Sequence, residues 1–156
     1  MNFLKNNNNI IMNDKWDLRF MSLAKEIASW SKDTTKVGCC IVNNRNPISM
    51  GFNGFPAKIN DEILERHERP LKYLYTVHSE ANGLVQAAKN GQKTEGCTMY
   101  VTLFPCSNCA GLIVNAGIVK LVCENKPDLN DERWGENWKI SYEIFNEASI
   151  IIEFIN

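Results

Sequence analysis

CTMYVTLFPCSNCAGLIVNAGIVKLVC, running from Cys97 to Cys123, contains a strand, a turn, a helix and a second strand in succession. Cys97 to Leu103 is rich in β-branched and aromatic residues and predicts a strand. Pro105 stiffens its exit. Cys109, Leu112, Ile113 and Ala116 then recur at helical spacing until Gly117, a helix stop. Ile118 to Cys123 is the following strand. Such a unit joins two parallel strands through a helical crossover. Cys106 and Cys109 fall at the helix N-terminus, whose partial positive charge favours thiolate over thiol. Cys-x-x-Cys is half of a tetrahedral zinc site.

Upstream, His78-Ser79-Glu80 opens another helix, with Ala81, Leu84, Val85 and Ala88 as its apolar face and Gly91 as its stop. His78 and Glu80 project towards the same end of that helix. Ala57 to Val77 is a mixed-charge insertion with a short helix around Ile63 to His67, and insertions of this length often shape a pocket or an interface. Gly51-Phe52-Asn53-Gly54-Phe55-Pro56 is a turn, since Asn and Gly tolerate positive φ. It follows a hairpin made from Val37–Val42 and Ile48–Phe52. Cys39 and Cys40 point to opposite faces of the first of these strands, so both cannot face one metal. Earlier still, Asp14 caps a helix whose stripe is Trp16, Phe20, Leu23, Ala24 and Ile27. Residues 1–13, rich in asparagine, are expected to form a disordered extension, leaving 14–156 as one domain. Downstream, Trp134, Trp138, Tyr142, Phe145 and Ala148 mark a last helix, and Ile150 to Ile155 a last strand.

This order predicts an α/β fold: a three-layer α/β/α arrangement around a mixed five-stranded sheet, antiparallel at first and parallel at the end. Both chemical centres then open helices at the carboxyl edge of the sheet, where ligands bind in open α/β sheets. A chain of 156 residues, 44% hydrophobic, suits one domain. Lys and Arg total 17 against 18 Asp and Glu, which leaves no basic footprint for a nucleic acid. No apolar run approaches membrane-spanning length. Six cysteines without a secretory signal predict a cytoplasmic protein whose cysteines serve metal binding or packing.

His78, Cys106 and Cys109 make three ligands and leave a fourth position open, which marks a catalytic rather than a structural zinc site. Zinc lowers the pKa of a water in that position, and Glu80, two residues from a ligand, is suited to shuttle its proton. His-x-Glu followed by Pro-Cys-x-x-Cys is similar to the signature of zinc nucleobase deaminases. The chain resembles the cytidine deaminase superfamily, most closely its deoxycytidylate (dCMP) deaminase branch, from about Phe20 to Cys123. Lys36-Val37-Gly38, the Asn53-Gly54 turn, Lys72-Tyr73-Leu74-Tyr75 and Met99 to Phe104 carry the resemblance beside the zinc motifs.

The resemblance implies conversion of dCMP to dUMP and ammonia, with His78, Cys106 and Cys109 on zinc and Glu80 as proton shuttle. It implies that Asn53 and Asn82 contact the nucleotide and that the backbone of Ser79 faces the pyrimidine. Tyr75 is a further candidate for the substrate pocket. It also implies a homo-oligomer, a hexamer in the family, with dCTP as activator and dTTP as inhibitor near Asn53 and Gly54. Lys32, Lys36, Arg66, Arg69 and Lys72 are available as phosphate donors, and Lys36, which precedes a strand bordering the pocket, is the first choice. Ser79 departs from the usual alanine and Phe52 from the usual tyrosine. The alternatives are a deaminase of another cytosine or purine compound and a non-catalytic zinc module, which would leave Glu80 unexplained.

Overall fold

The computed structural model describes residues 14–155; the asparagine-rich extension expected at 1–13 lies outside them. Asp14 caps α1 (Lys15–Ala28) by accepting from the Trp16 N–H at 3.1 Å. A hairpin follows, β1 (Gly38–Asn43) and β2 (Asn46–Phe52), closed by the two-residue turn Asn44-Arg45, with φ of 46° and 65°. That turn is tighter than the five-residue turn expected, and it draws Pro47 into β2. Pro47 is tolerated because β2 is the sheet edge and the register shifts opposite it, between Ile41 and Val42. The insertion carries one 3₁₀ turn (Leu64–His67) and the short helix α2 (Lys72–Tyr75). Then come α3 (Ser79–Lys89), β3 (Thr98–Val101), α4 (Ser107–Asn115), β4 (Lys120–Cys123), α5 (Gly135–Glu147) and β5 (Ile151–Phe154).

The sheet order is β2-β1-β3-β4-β5. β1 is antiparallel to both of its neighbours, whereas β3, β4 and β5 are parallel. The mixed five-stranded sheet expected from the sequence is therefore observed. One detail differs: no sheet strand leads directly into α3. Only an isolated bridge, Gly54 to Val77, precedes it. β2 and β3 run in the same direction with β1 between them, so α3 spans β1. The ends of β2 and β3 still share one edge of the sheet, which is where α3 and α4 begin.

Alternation along the strands divides the core in two. Phe20, Met21 and Ala24 of α1 pack with Cys40, Val42, Tyr100 and Val122 on one face. Cys39, Ile41, Met99, Val101, Leu121 and Cys123 face Ala110 and Ile113 of α4 and Trp138 and Phe145 of α5. Cys39 and Cys40 thus separate as their adjacent positions require.

The buried face of α3 is not the one its apolar residues predict. Ser79, Glu80, Gly83 and Ala87 are buried, while Val85 is 65% exposed. Close approach to the sheet is the reason. A Cβ on Gly51 would lie 2.3 Å from the Ser79 carbonyl oxygen and 2.4 Å from the Gly83 nitrogen. A Cβ on Gly83 would lie 2.6 Å from Cys39 Sγ. The Ser49 hydroxyl donates to the Gly83 carbonyl at 2.6 Å, and the Cys39 thiol donates to the Ser79 carbonyl at 3.2 Å. Small residues turn inward here, and the larger ones rotate to the flank.

Candidate metal centre and active site

His78 and Cys106 are the N-cap residues of α3 and α4, and neither uses its side chain to cap its helix. Both side chains are therefore free to face each other. His78 Nδ1 lies 3.4 Å from Cys106 Sγ and 3.6 Å from Cys109 Sγ. One donor atom from each of the three residues falls within 4.8 Å of the others. Two sulfurs and one imidazole nitrogen in that space suit zinc in both ligand type and number.

The local charges are organised around the same point. The Cys106 thiol is pushed down to about 4, first by its hydrogen bond with Cys109 and then by His78, against the opposing effect of burial. Cys109 moves in the opposite direction through that hydrogen bond and burial. His78 is raised by its bond to Cys106. The Glu80 carboxyl is raised mainly by burial, being 4% exposed, while its Oε2 accepts from the Ser79 hydroxyl at 2.9 Å.

The cysteine loop is held from behind by α5. Trp138 Nε1 donates to the Phe104 carbonyl at 3.1 Å, and the Ser141 hydroxyl donates to the Pro105 carbonyl at 2.9 Å. Asn137 Oδ1 accepts the Ser107 N–H at 2.8 Å, serving a free donor in the first turn of α4 from another helix. Trp138, which packs in the core beside Phe145, is therefore also an anchor for the ligand loop.

A cavity of about 140 Å³ opens beside this centre, lined by His78, Ser79, Glu80, Cys106 and Asn53 together with residues of the insertion and of the loop before α5. Asn53 is 7% exposed; its Oδ1 accepts from the Val37 N–H at 2.9 Å and its Nδ2 donates to the Thr35 carbonyl at 2.8 Å. The other candidates lie elsewhere. Lys36 Nζ bonds the Ser29 carbonyl at 3.3 Å and is not among the cavity-lining residues. Asn82 gives its Nδ2 to the Phe52 and Val77 carbonyls, and Tyr75 packs on Phe55 with Arg66 over its ring. Gly54 lines a second cavity, which shares Asp33 and Thr76 with the first. Arg69, Lys72, Tyr73 and Arg133 line the first cavity; Arg69 and Lys72 are among the phosphate donors the sequence offers besides Lys36, whereas Tyr73 and Arg133, on a one-turn helix and a loop without periodicity, are not singled out by it.

Residues 14–125 match the family model for the cytidine and deoxycytidylate deaminase zinc-binding region. The chain belongs to this deaminase family. It is 38% identical over 145 residues to an uncharacterized deaminase in the luxG 3′ region of Aliivibrio fischeri, covering 92% of this chain and 96% of that one. Identity to the deoxycytidylate deaminase of phage T4 is 44%, covering 81% and 83% of the two chains. Identity to the human deoxycytidylate deaminase is 40%, over 69% of this chain and 64% of the human one. The fold is shared with the dCMP deaminase of cyanophage S-TIM5, solved in complex with dCMP and dUMP: the TM-score is 0.74 at 23% identity, over 92% of this chain and 98% of that one. Among the described residues, no helix of this deaminase is long and apolar enough to cross a membrane.

Proposed function

We propose that this protein deaminates dCMP by hydrolysis, giving dUMP and ammonia. The observation that carries the reading is the convergence of His78 Nδ1 on the sulfurs of Cys106 and Cys109, with the buried carboxyl of Glu80 on the same cavity. Family membership and deoxycytidylate deaminase relatives support the substrate.

His78, Cys106 and Cys109 are the residues that would hold zinc. When bound, zinc supplies a water acidic enough to give up a proton near neutral pH. Glu80 accepts that proton and passes it to the pyrimidine ring as water oxygen adds at the carbon bearing the amino group. A second transfer through Glu80 protonates the amino nitrogen, which departs as ammonia while the carbonyl of uracil forms. Burial suits Glu80 to both directions, because it draws the carboxyl towards neutrality and so makes it a competent acid as well as a base. The Ser79 hydroxyl holds one carboxyl oxygen, leaving Oε1 for the shuttle. Asn53 lines the cavity and ties it to Thr35 and Val37 through its side-chain amide.

The reading includes a cytoplasmic homo-oligomer regulated by dCTP and dTTP. The second cavity, lined by Trp30, Lys32, Phe52, Gly54, Phe55 and Lys58 among others, supports an effector site next to the Asn53-Gly54 turn. Loss of cytosine absorbance tests the activity, with dCMP, deoxycytidine, CMP and dCTP as substrates. The expected result is fastest turnover of dCMP. Faster turnover of deoxycytidine would sink the nucleotide assignment.

A further inference from the structure

Glu80 makes no ion pair with a Lys or Arg among the described residues. Its carboxyl is buried, and the side-chain donor that reaches it comes from its own neighbour: the Ser79 hydroxyl donates to Oε2 at 2.9 Å. Ser79 is fully buried at the first position of α3. Serine hydroxyls near a helix start usually bond nearby backbone groups; this one bonds a carboxyl instead. Its backbone is held as firmly. The Ser79 carbonyl accepts the Cys39 thiol of β1 at 3.2 Å, and a Cβ on Gly51 of β2 would lie 2.3 Å from the same oxygen. The donor therefore stands on the sheet. Alanine, which the resemblance leads one to expect at this position, offers no such donor.

A glutamate side chain turns about several bonds, and the last torsion, at the carboxyl, is broad and roughly two-fold. The side chain alone does not tell its two oxygens apart. A fixed donor on Oε2 does: it selects one rotation of the carboxyl and leaves Oε1 as the less encumbered acceptor. Burial sharpens the effect, because a buried acceptor that loses its donor has no bulk water to replace it.

We propose that Ser79 is a positioning residue for the proton shuttle: its hydroxyl, seated on β1 and β2 by the backbone beneath it, fixes the Glu80 carboxyl in the rotation that serves transfer through Oε1. This rests on the deaminase reading above and adds to it a dependence of rate, rather than of binding, on one hydroxyl. Cys39, expected from the sequence to be packing alone, is part of the seat. The Ser79 backbone N–H, which the resemblance places against the pyrimidine, is the same in alanine. Losing the hydroxyl therefore leaves recognition of the base intact.

The test compares zinc-loaded wild-type and Ser79→Ala protein. Ser79→Ala should lower kcat for dCMP roughly 10-fold, the size expected for a lost bond to a charged group, with KM within about twofold. Calorimetry supplies a readout without turnover. A 5′-phosphorylated reduced pyrimidine deoxynucleoside, with a hydroxyl on a tetrahedral C4, mimics the water adduct. It should bind Ser79→Ala about 10-fold more weakly, whereas dUMP binds both proteins within about twofold. Action through Glu80 shows in a double-mutant cycle: in a Glu80→Ala background, adding Ser79→Ala should change the residual rate by less than about twofold. Should Ser79→Ala melt lower, the cycle still decides, since a packing loss would persist without Glu80. Wild-type kcat in Ser79→Ala, equal weakening of the adduct mimic and dUMP, or an undiminished loss in the Glu80→Ala background overturns the assignment. Failure of the deaminase reading shows separately, as absence of turnover by the unmutated enzyme.

Discussion

Gly51→Ala is the substitution whose outcome is most tightly constrained by the geometry. The added Cβ would meet backbone on three sides: the Ser79 oxygen at 2.3 Å, the Gly83 nitrogen at 2.4 Å and the Gly83 Cα at 2.9 Å. None of these is the tip of a flexible side chain. Ordinary contact begins about 1 Å further out, so α3 must withdraw from β2 by about that distance. Overpacking of this kind costs about 1–3 kcal/mol, or roughly 3–9 °C in melting temperature for a domain of this size. The withdrawn turn is the one carrying His78 and Glu80, whereas Cys106 and Cys109 stay with α4. A misplacement of about 1 Å between groups that act together costs on the order of 100-fold in rate. Gly51→Ala should therefore lose about two decades in kcat and bind zinc more weakly while keeping its far-ultraviolet circular dichroism. Metal content after dialysis, thermal melting and dCMP turnover measure the three effects. Wild-type turnover with an unchanged melting temperature would mean that the α3–sheet approach does not set the site geometry.

Other perturbations address single groups. Glu80→Gln should retain zinc and lose turnover by roughly 10²–10⁴-fold, the usual contribution of a positioned acid–base group; loss of metal instead would make Glu80 a ligand. Asn137→Ala removes the acceptor of the Ser107 N–H and should cost about 1 kcal/mol, as loss of a capping side chain does. It should also weaken zinc binding about 10-fold, measured by competition with a chelator. Because the Asp33 carboxyl is held below its usual range, its ion pair with Lys72 stabilises the fold above the unfolded carboxyl pKa, near 4, and that contribution fades as pH falls through the folded value. Asp33→Asn should thus lower stability at pH 7 and flatten the acid side of the stability profile; equal losses at pH 7 and pH 2.5 in urea melts would contradict the pairing.

The elements that bring the metal-binding side chains together were legible because they obey strong local rules. Pro105, Gly117 and Gly91 punctuate helices whose first residues carry the chemistry, and β-branched runs mark the strands around them. The buried face of α3 was not legible, because its packing is decided by Gly51 and Gly83, residues with no hydropathy signal of their own. The cavity rim was hidden for a different reason. Arg69, Tyr73 and Arg133 meet across 60 residues of sequence through a loop and a one-turn helix, and nothing in local periodicity brings such segments together. Lys36 looked well placed because it precedes a pocket-bordering strand, yet its flexible stem turns back to α1. Asp17 stands outside the apolar stripe expected of α1, yet it is buried and accepts the Tyr100 hydroxyl at 2.7 Å.

The bonds from α5 to the cysteine loop reach across a boundary that sequence comparison draws. The family match ends at residue 125, ten positions before α5 begins at Gly135. Trp138, Ser141 and Asn137 nevertheless fasten Phe104, Pro105 and Ser107. A fragment cut at the edge of the matched region would keep every proposed metal ligand and lose the brace that aims two of them. The C-terminal helix is therefore not an appendage that can be trimmed, tagged through or exchanged without retuning the centre. For anyone grafting this domain, the smallest portable unit extends past the motif to the end of α5.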